Sequence, residues 1–416
     1  MESHGNGEAG LTTRAAVEQA ARRSYGRLVA FLSARSHDVA AAEDALSDAF
    51  QAALESWPVD GVPAKPEAWL LVAARRRLID AARHTQVKVA GAELLLAAAE
   101  EAEELASAET DFPDERLKLL FICAHPAIDA GTRTPLMLQV VLGLDAARIA
   151  SAFLVQPSAM SQRLVRAKGK IRDAGIAFEV PRAKDLPARL TAVLDAIYAA
   201  YGSGWEDVAG ADPSRKDLTG EALELCHVLL QLLPSEPEAL GLMALMLHCE
   251  ARRAARRSAE GEYVPLSEQD VSLWSSPMIE SAERYLKVAS GYGRPGRFQL
   301  EAAIQSVHAQ RLAGRPTDWE AIAVLYDGLV QLSPTIGARV GRAAAVAEAR
   351  GPAAGQAALE LIPADAVGNY QPYWALTGYV LKRLGRHDEA AAAYSRAIGL
   401  CEDPAMRAFL IHAAAQ

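Results

Sequence analysis

Thr134 to Asp173, TPLMLQVVLGLDAARIASAFLVQPSAMSQRLVRAKGKIRD, reads as three short helices separated by two punctuation marks. Gly143 stops the first, and Asp145 is placed to cap the second, AARIASAF. Pro157 suits the first position of the third, where a missing N–H leaves no partner wanting. In that third helix Met160, Leu164, Ala167 and Ile171 recur at steps of four, three and four, which predicts one buried stripe. Gln162, Arg163, Arg166, Lys168, Lys170 and Arg172 fall off the stripe. A basic amphipathic helix alone is more often an ordinary solvated face. The tight turn and the apolar helix before it, Ile149 to Phe153, favour a helix-turn-helix that offers its second helix to a DNA major groove.

Upstream, a helix is expected from Thr13 to about His37, with Val17, Ala21, Leu28, Phe31 and Leu32 inward and residues 1–12 a disordered tail. The next segment, HDVAAAEDALSDAFQAALESWP, places Leu46, Phe50, Leu54 and Trp57 on a buried face. Asp44, Asp48, Gln51 and Glu55 repeat along another face as an acidic stripe, either plain solvation or a dock for a basic helix. Pro58 to Pro66, PVDGVPAKP, is expected to be irregular. A helix from about Glu67 to His84 follows, with Trp69, Val72, Leu78, Ile79 and Ala82 on its apolar side. Its second half is rich in arginine, a composition suited to a nucleic-acid backbone. Residues 87–110 are acidic and read as a linker. Asp111 to Asp114 opens the domain that carries the helix-turn-helix.

The chain has 416 residues, long enough for two or three domains, and 51% of them are apolar. Plentiful Ala and Leu with few β-branched runs predict an all-α fold. The net charge of −9 is unevenly spread: the linker is acidic, while Arg75–Arg77 and Arg163–Arg172 are basic, and local fields decide where a polyanion docks. Cys123, Cys226, Cys249 and Cys401 have no metal-ligand spacing and read as reduced thiols. No apolar run approaches a membrane span, no cofactor or metal motif is present, and no catalytic signature points to an enzyme. A cytoplasmic protein is expected.

These pieces in this order resemble the bacterial sigma-70 family, specifically the compact extracytoplasmic-function sigma factors. AAEDALSDAFQAALESWP is similar to their region two, AWLLVAARRRLIDAARH to the helix that meets the minus-ten element, and LDAARIASAFLVQPSAMSQRLVRAKGKIRDAGIAFEVP to the region four helix-turn-helix. The resemblance implies region two over residues 13–86 and region four over 111–182. It implies that Asp44, Asp48, Gln51 and Glu55 bind the clamp helices of the core RNA polymerase's largest subunit, with region four on the flap. Lys65, Arg75, Arg76, Arg77, Arg83 and His84 would meet the minus-ten strand, and the loop Pro58–Pro66 would hold a flipped base. Ser158, Gln162, Arg163 and Arg166 would face the minus-thirty-five element, with Lys168 and Lys170 on DNA phosphate. The linker would thread near the polymerase active centre. The chain departs from the family pattern at Arg76, commonly Asn, at Asp145 and Gln156, commonly Ser or Thr, and at Arg148, commonly Glu.

Some 230 residues follow. LELCHVLLQLLPSEPEAL and VLYDGLVQLSPTIGARV echo each other, with Leu229/Leu329, Leu232/Leu332 and Pro234/Pro334 aligned. In WALTGYVLKRLGRHDEAAAAYSRAIGL, Trp374, Gly378, Gly385, Ala390, Tyr394 and Ala397 take the spacings of a tetratricopeptide repeat. The tail resembles the sigma factors with a fused C-terminal helical domain: an extension over 187–290, where AIYAAYGSGW stands for an aromatic IFNEGY-like marker, then repeats over 291–416. Such repeats would take a regulatory protein or peptide. RRAARR, Arg252–Arg257, reads as a solvated helix end ahead of a phosphate site. The expectation is a promoter-specificity subunit; the alternative is a stand-alone helix-turn-helix regulator whose tail senses a partner.

Overall fold

A computed structural model describes residues 5–84, 114–153, 155–182, 184–206 and 213–415. Among them the ordered elements are helices, joined by turns and one isolated bridge between Arg257 and Tyr263. The chain divides into two compact units. The first runs through residue 206 and takes residues 213–228; the second begins at Leu229. The acidic linker lies outside the described residues.

The first unit opens with three long helices, α1 (Gly5–Ser36), α2 (Val39–Asp60) and α3 (Pro66–His84). Helix already begins at Gly5, well inside the expected tail. His37 turns the chain with a φ of 53°, and Asp38 caps α2 by accepting from the Ala41 amide at 3.1 Å. Leu28, Phe31 and Leu32 of α1 meet Leu46, Ala49 and Trp57 of α2 and Leu70, Leu71 and Leu78 of α3 in a buried core. Each such large side chain contributes about 1.5–3 kcal/mol on burial. Leu54, expected inside, is exposed, and Phe50 is half-buried. Ala49 and Ala53 occupy the face instead, which lets α1 and α2 approach closely. Pro58 stands within the last turn of α2, so the irregular loop shortens to residues 61–65.

The helix-turn-helix domain comprises α4 (Arg116–Cys123), α5 (Ala130–Val140), α6 (Ala146–Ala152) and α7 (Pro157–Asp173). Two further helices, α8 (Leu186–Glu206) and α9 (Pro213–Leu232), continue it. The long α8 runs through Gly202 and Gly204 and packs on α4 and α5. Arg116 is fully buried at the joint. Its guanidinium pairs with Asp114 at 2.7 Å, with Glu224 at 3.0 Å and with Glu221. The expected boundary near residue 187 is therefore crossed: the front of the helical extension completes the core of the helix-turn-helix domain.

The second unit strings helices into packed pairs: α10 (Pro237–Glu250), α11 (Ser276–Gly291), α12 (Arg297–Ala309), α13 (Trp319–Leu332), α14 (Ile336–Arg350) and α15 (Pro352–Glu360). A short α16 (Ala364–Val367) leads to α17 (Gln371–Arg383), α18 (His387–Leu400) and α19 (Pro404–Ala415). The two echoing segments do share a role. Each holds a helix end, a turn at Pro234 or Pro334 and a following helix, with Leu229 and Leu329 buried and Leu232 and Leu332 exposed. In the α17–α18 hairpin Gly378 lies under the Tyr394 ring, and Ala390 and Ala397 are buried.

Candidate nucleic-acid interface

The helix-turn-helix forms as its residues direct. Gly143 takes a φ of 67°, and the Asp145 carboxylate accepts from the Arg148 amide at 2.8 Å. Gln156 makes no side-chain cap, and Pro157 starts α7. Met160, Leu164, Ala167 and Ile171 are all buried. Ser158, Gln162, Arg163, Arg166 and Lys170 are exposed, so the row predicted to face DNA does stand in solvent. Arg163, Arg166 and Lys170 share an open cleft of about 500 Å³ with the Ala127–Asp129 turn and Thr132. Three cations against one carboxylate make that cleft attractive to an anion.

Lys168 breaks the expected pattern. Its side chain is 14% exposed, and its ammonium donates to the Glu43 carboxylate of α2 at 2.6 Å. Glu43, 11% exposed, also accepts from the Tyr25 hydroxyl at 3.2 Å. Burial and that carboxylate push the Tyr25 phenol up. Nearby, Arg172 reaches Asp38 at 3.7 Å, and His37 packs edge-on to Phe178 at 5.5 Å. Gly26 of α1 abuts the end of α5 so tightly that a Cβ there would lie 1.8 Å from the Val141 carbonyl oxygen. The expected phosphate contact of Lys168 is corrected: its charge is spent inside the protein.

On α2 the stripe Asp44, Asp48, Gln51 and Glu55 is exposed along its whole length. Gln51 donates to Glu55 at 3.1 Å, and Asp48 lies 3.9 Å from Arg77 across the bundle surface. On α3, Arg76 and Arg77 are exposed, as is Lys65 in the preceding loop. The side chains of Arg83 and His84 lie outside the described residues. Arg75 is a second correction. It is buried, with its guanidinium 4.8 Å from the centroid of Phe31, which Arg35 covers at 3.5 Å. The run of three arginines straddles the helix face, so one of them must point inward. Trp69 is half-buried and packs edge-on to Trp57 at 5.5 Å.

Sequence reasoning passed over Glu43 and Asp38. The signal was present: Val39, Ala42, Leu46 and Ala49 set the buried face of α2, and Glu43 lies on it as a lone carboxylate. In the second unit RRAARR is neither a solvated end nor an open phosphate site. Arg252 bonds Gln305 at 2.7 Å, Arg253 bonds Glu250 at 2.6 Å, and Arg257 pairs with Asp403. Burial lowers the Arg256 guanidinium, and its neighbours Arg252 and Arg257 add to the effect. Cys123, Cys226 and Cys401 are buried free thiols, and Cys249 is half-buried. Among the described residues no cluster of acids, cysteines or histidines could hold a metal, and no helix is long and apolar enough to cross a membrane.

Residues 20–87, spanning most of α1 to α3, match Sigma-70 region 2. Residues 189–290 match a family of unknown function, DUF6596. The uncharacterized protein R00370 of Rhizobium meliloti (strain 1021) is 39% identical over 373 residues, which cover 89% of this chain and 88% of that protein. The chain belongs to the same family as that protein. No solved structure matches it. The region 2 domain supports a sigma-70 family sigma factor, a kind of protein that binds RNA polymerase and promoter DNA in transcription initiation and is not itself an enzyme.

Proposed function

We propose that the chain is an extracytoplasmic-function sigma factor that works in the cytoplasm. It binds core RNA polymerase through Asp44, Asp48, Gln51 and Glu55. It meets the minus-ten strand with Lys65, Arg76 and Arg77, and reads a minus-thirty-five element with Gln162, Arg163 and Arg166. Gln suits adenine and Arg suits guanine, at roughly 1–3 kcal/mol of discrimination per bidentate pair. Lys170 holds phosphate. The observation that carries this reading is the exposed polar row of α7, set by a tight turn, in a chain whose residues 20–87 match Sigma-70 region 2. The second unit is a tetratricopeptide-like domain that regulates activity by taking a protein or peptide partner, a role its paired helices suit. The test is a competition assay. Full-length protein should displace a labelled sigma factor from purified core polymerase, and Asp48→Arg should abolish displacement without lowering the melting temperature. Displacement by Asp48→Arg at wild-type concentration would remove the docking assignment.

A further inference from the structure

The first unit holds a pocket that the DNA and polymerase assignments leave unused. It lies where the chain passes from α7 to α8, beside the residue that follows the end of α4, and has a volume of about 250 Å³. Its charged lining is Arg182, Lys184, Arg189 and His125, set against Glu179 and Asp185. Arg182 and Lys184 are exposed, and among the described residues neither enters an ion pair. The first turn of α8, a helix of 21 residues, stands at the same place, and its dipole adds to the attraction for an anion.

Two of the lining groups are set into the fold. The Arg189 guanidinium reaches back to the Phe121 carbonyl of α4 at 3.4 Å, while its Nε is buried without a partner. A buried donor left unpaired is costly, so an acceptor is wanted there. Burial holds that guanidinium below its ordinary value, with Asp185 and Glu179 opposing. At His125 the Ala127 amide donates to Nδ1 at 3.1 Å, so the neutral ring carries its proton on Nε2 and offers a donor. Burial, then the Arg189 and Arg133 charges, pull this imidazole below its ordinary value, and Asp185 opposes them. Two carboxylates against three cations and a donor imidazole leave the pocket short of negative charge.

Size and shape decide the class of occupant. The pocket is smaller than the roughly 300–1,000 Å³ of sites for drug-sized molecules, so its ligand is small. A concave pocket suits a terminal phosphate, whereas a duplex presents its phosphates along a continuous backbone to an open face such as that of α7. We propose that the pocket binds a small phosphate-bearing ligand, with Arg189 and the His125 Nε2 donating from its inner side and Arg182 and Lys184 from its rim. Such a ligand would tie together the turn after α4, the connection from α7 and the start of α8, where the helix-turn-helix domain passes into the helices that follow. Binding here is independent of the sigma reading, since neither polymerase nor promoter takes part.

Calorimetric titration of the full-length protein with glycerol 3-phosphate and with inorganic phosphate is the test. The wild type should bind at least one of them saturably, and Arg182→Gln/Lys184→Gln should bind it about tenfold more weakly or worse. Both residues are exposed, so the melting temperature of that variant without ligand should match the wild type. Arg166→Ala/Lys170→Ala, in the cleft beside α7, should leave the affinity unchanged. In protein with isotope-labelled histidine the His125 ring should titrate at higher pH once the ligand is saturating, because an anion beside it favours the imidazolium. Tighter binding of the ester assigns the site to a phosphorylated metabolite, and equal or tighter binding of inorganic phosphate assigns it to the free ion; both keep the site. No saturable binding of either probe would overturn the proposal. So would an unchanged affinity in Arg182→Gln/Lys184→Gln, or a loss that follows Arg166→Ala/Lys170→Ala instead. Displacement of the bound probe by a random-sequence duplex would also overturn it, and would make the pocket part of the DNA surface.

Discussion

Arg163 and Lys170 lie on the same exposed side of α7, two turns apart, yet they should fail differently when removed. Arg163→Ala should relax preference at one promoter position by about 1–3 kcal/mol, whereas Lys170→Ala should weaken every sequence alike and reduce the salt slope by about one. Binding titrations on a point-mutated promoter series at two salt concentrations separate the two; equal losses on every sequence for Arg163→Ala would move it to the backbone. Arg116 shows what a single buried charge organises. Burial alone would raise the Asp114 carboxyl, but the hydrogen bonds and charge of Arg116 hold it below the usual carboxylate range. A carboxyl depressed in the folded state adds stability above its unfolded pKa and loses it as pH falls through the carboxylate range. Arg116→Ala leaves three carboxylates without their shared cation, and a loss of about 3–5 kcal/mol in urea unfolding is expected. A loss under 1 kcal/mol would show that Glu221 and Glu224 turn to solvent freely.

At the scale of elements, the helix-turn-helix was the most legible part of the chain. Gly143, Asp145 and Pro157 act within one turn of themselves, so their chemistry is local and the three helices follow from it. The fates of Arg75 and Lys168 were not legible. Each lies at the edge of a basic face, and which edge residue turns inward depends on a partner distant in sequence, Phe31 for one and Glu43 for the other. One helix end was misread for a related reason: Pro58 is a breaker by propensity, yet α2 runs past it. The joint between the helix-turn-helix domain and the helices after it was not legible either, because Arg116 takes Glu221 and Glu224 as partners from α9. A chain cut after Pro181 should therefore lose cooperative unfolding of α4–α7, while one cut after Leu233 should keep it; matching melting curves would contradict the joint. In the second unit His248 and His308 are buried, and burial, helped by the Arg252 charge, pulls both from the ordinary 6.5 down to about 4. The Glu283 carboxylate, 3.4 Å from His248, does not offset it. A histidine depressed in the fold binds fewer protons than it does unfolded. Its contribution is therefore complete above about pH 6.5, shrinks as pH falls toward 4 and is flat below. The urea midpoint of the second unit should drop between pH 7 and pH 5, and a His248→Leu/His308→Leu protein should lose most of that slope.

Over the whole molecule, two kinds of surface divide the labour. The first unit carries the exposed acid of α2 and the exposed base of α3 and α7, while in the second the RRAARR arginines turn to internal partners, as Arg257 does with Asp403. On the proposed function, polymerase docking and DNA contact would concentrate in the first 182 residues, and a tail built of paired helices would be left for regulation. The direct measurement is run-off transcription with purified core polymerase on the DNA upstream of the chain's own gene. A transcript from one defined start is expected with the full-length protein, and it should disappear with Asp48→Arg. Specific DNA binding with no transcript at any protein concentration would contradict it, and would make the chain a helix-turn-helix regulator that works without polymerase.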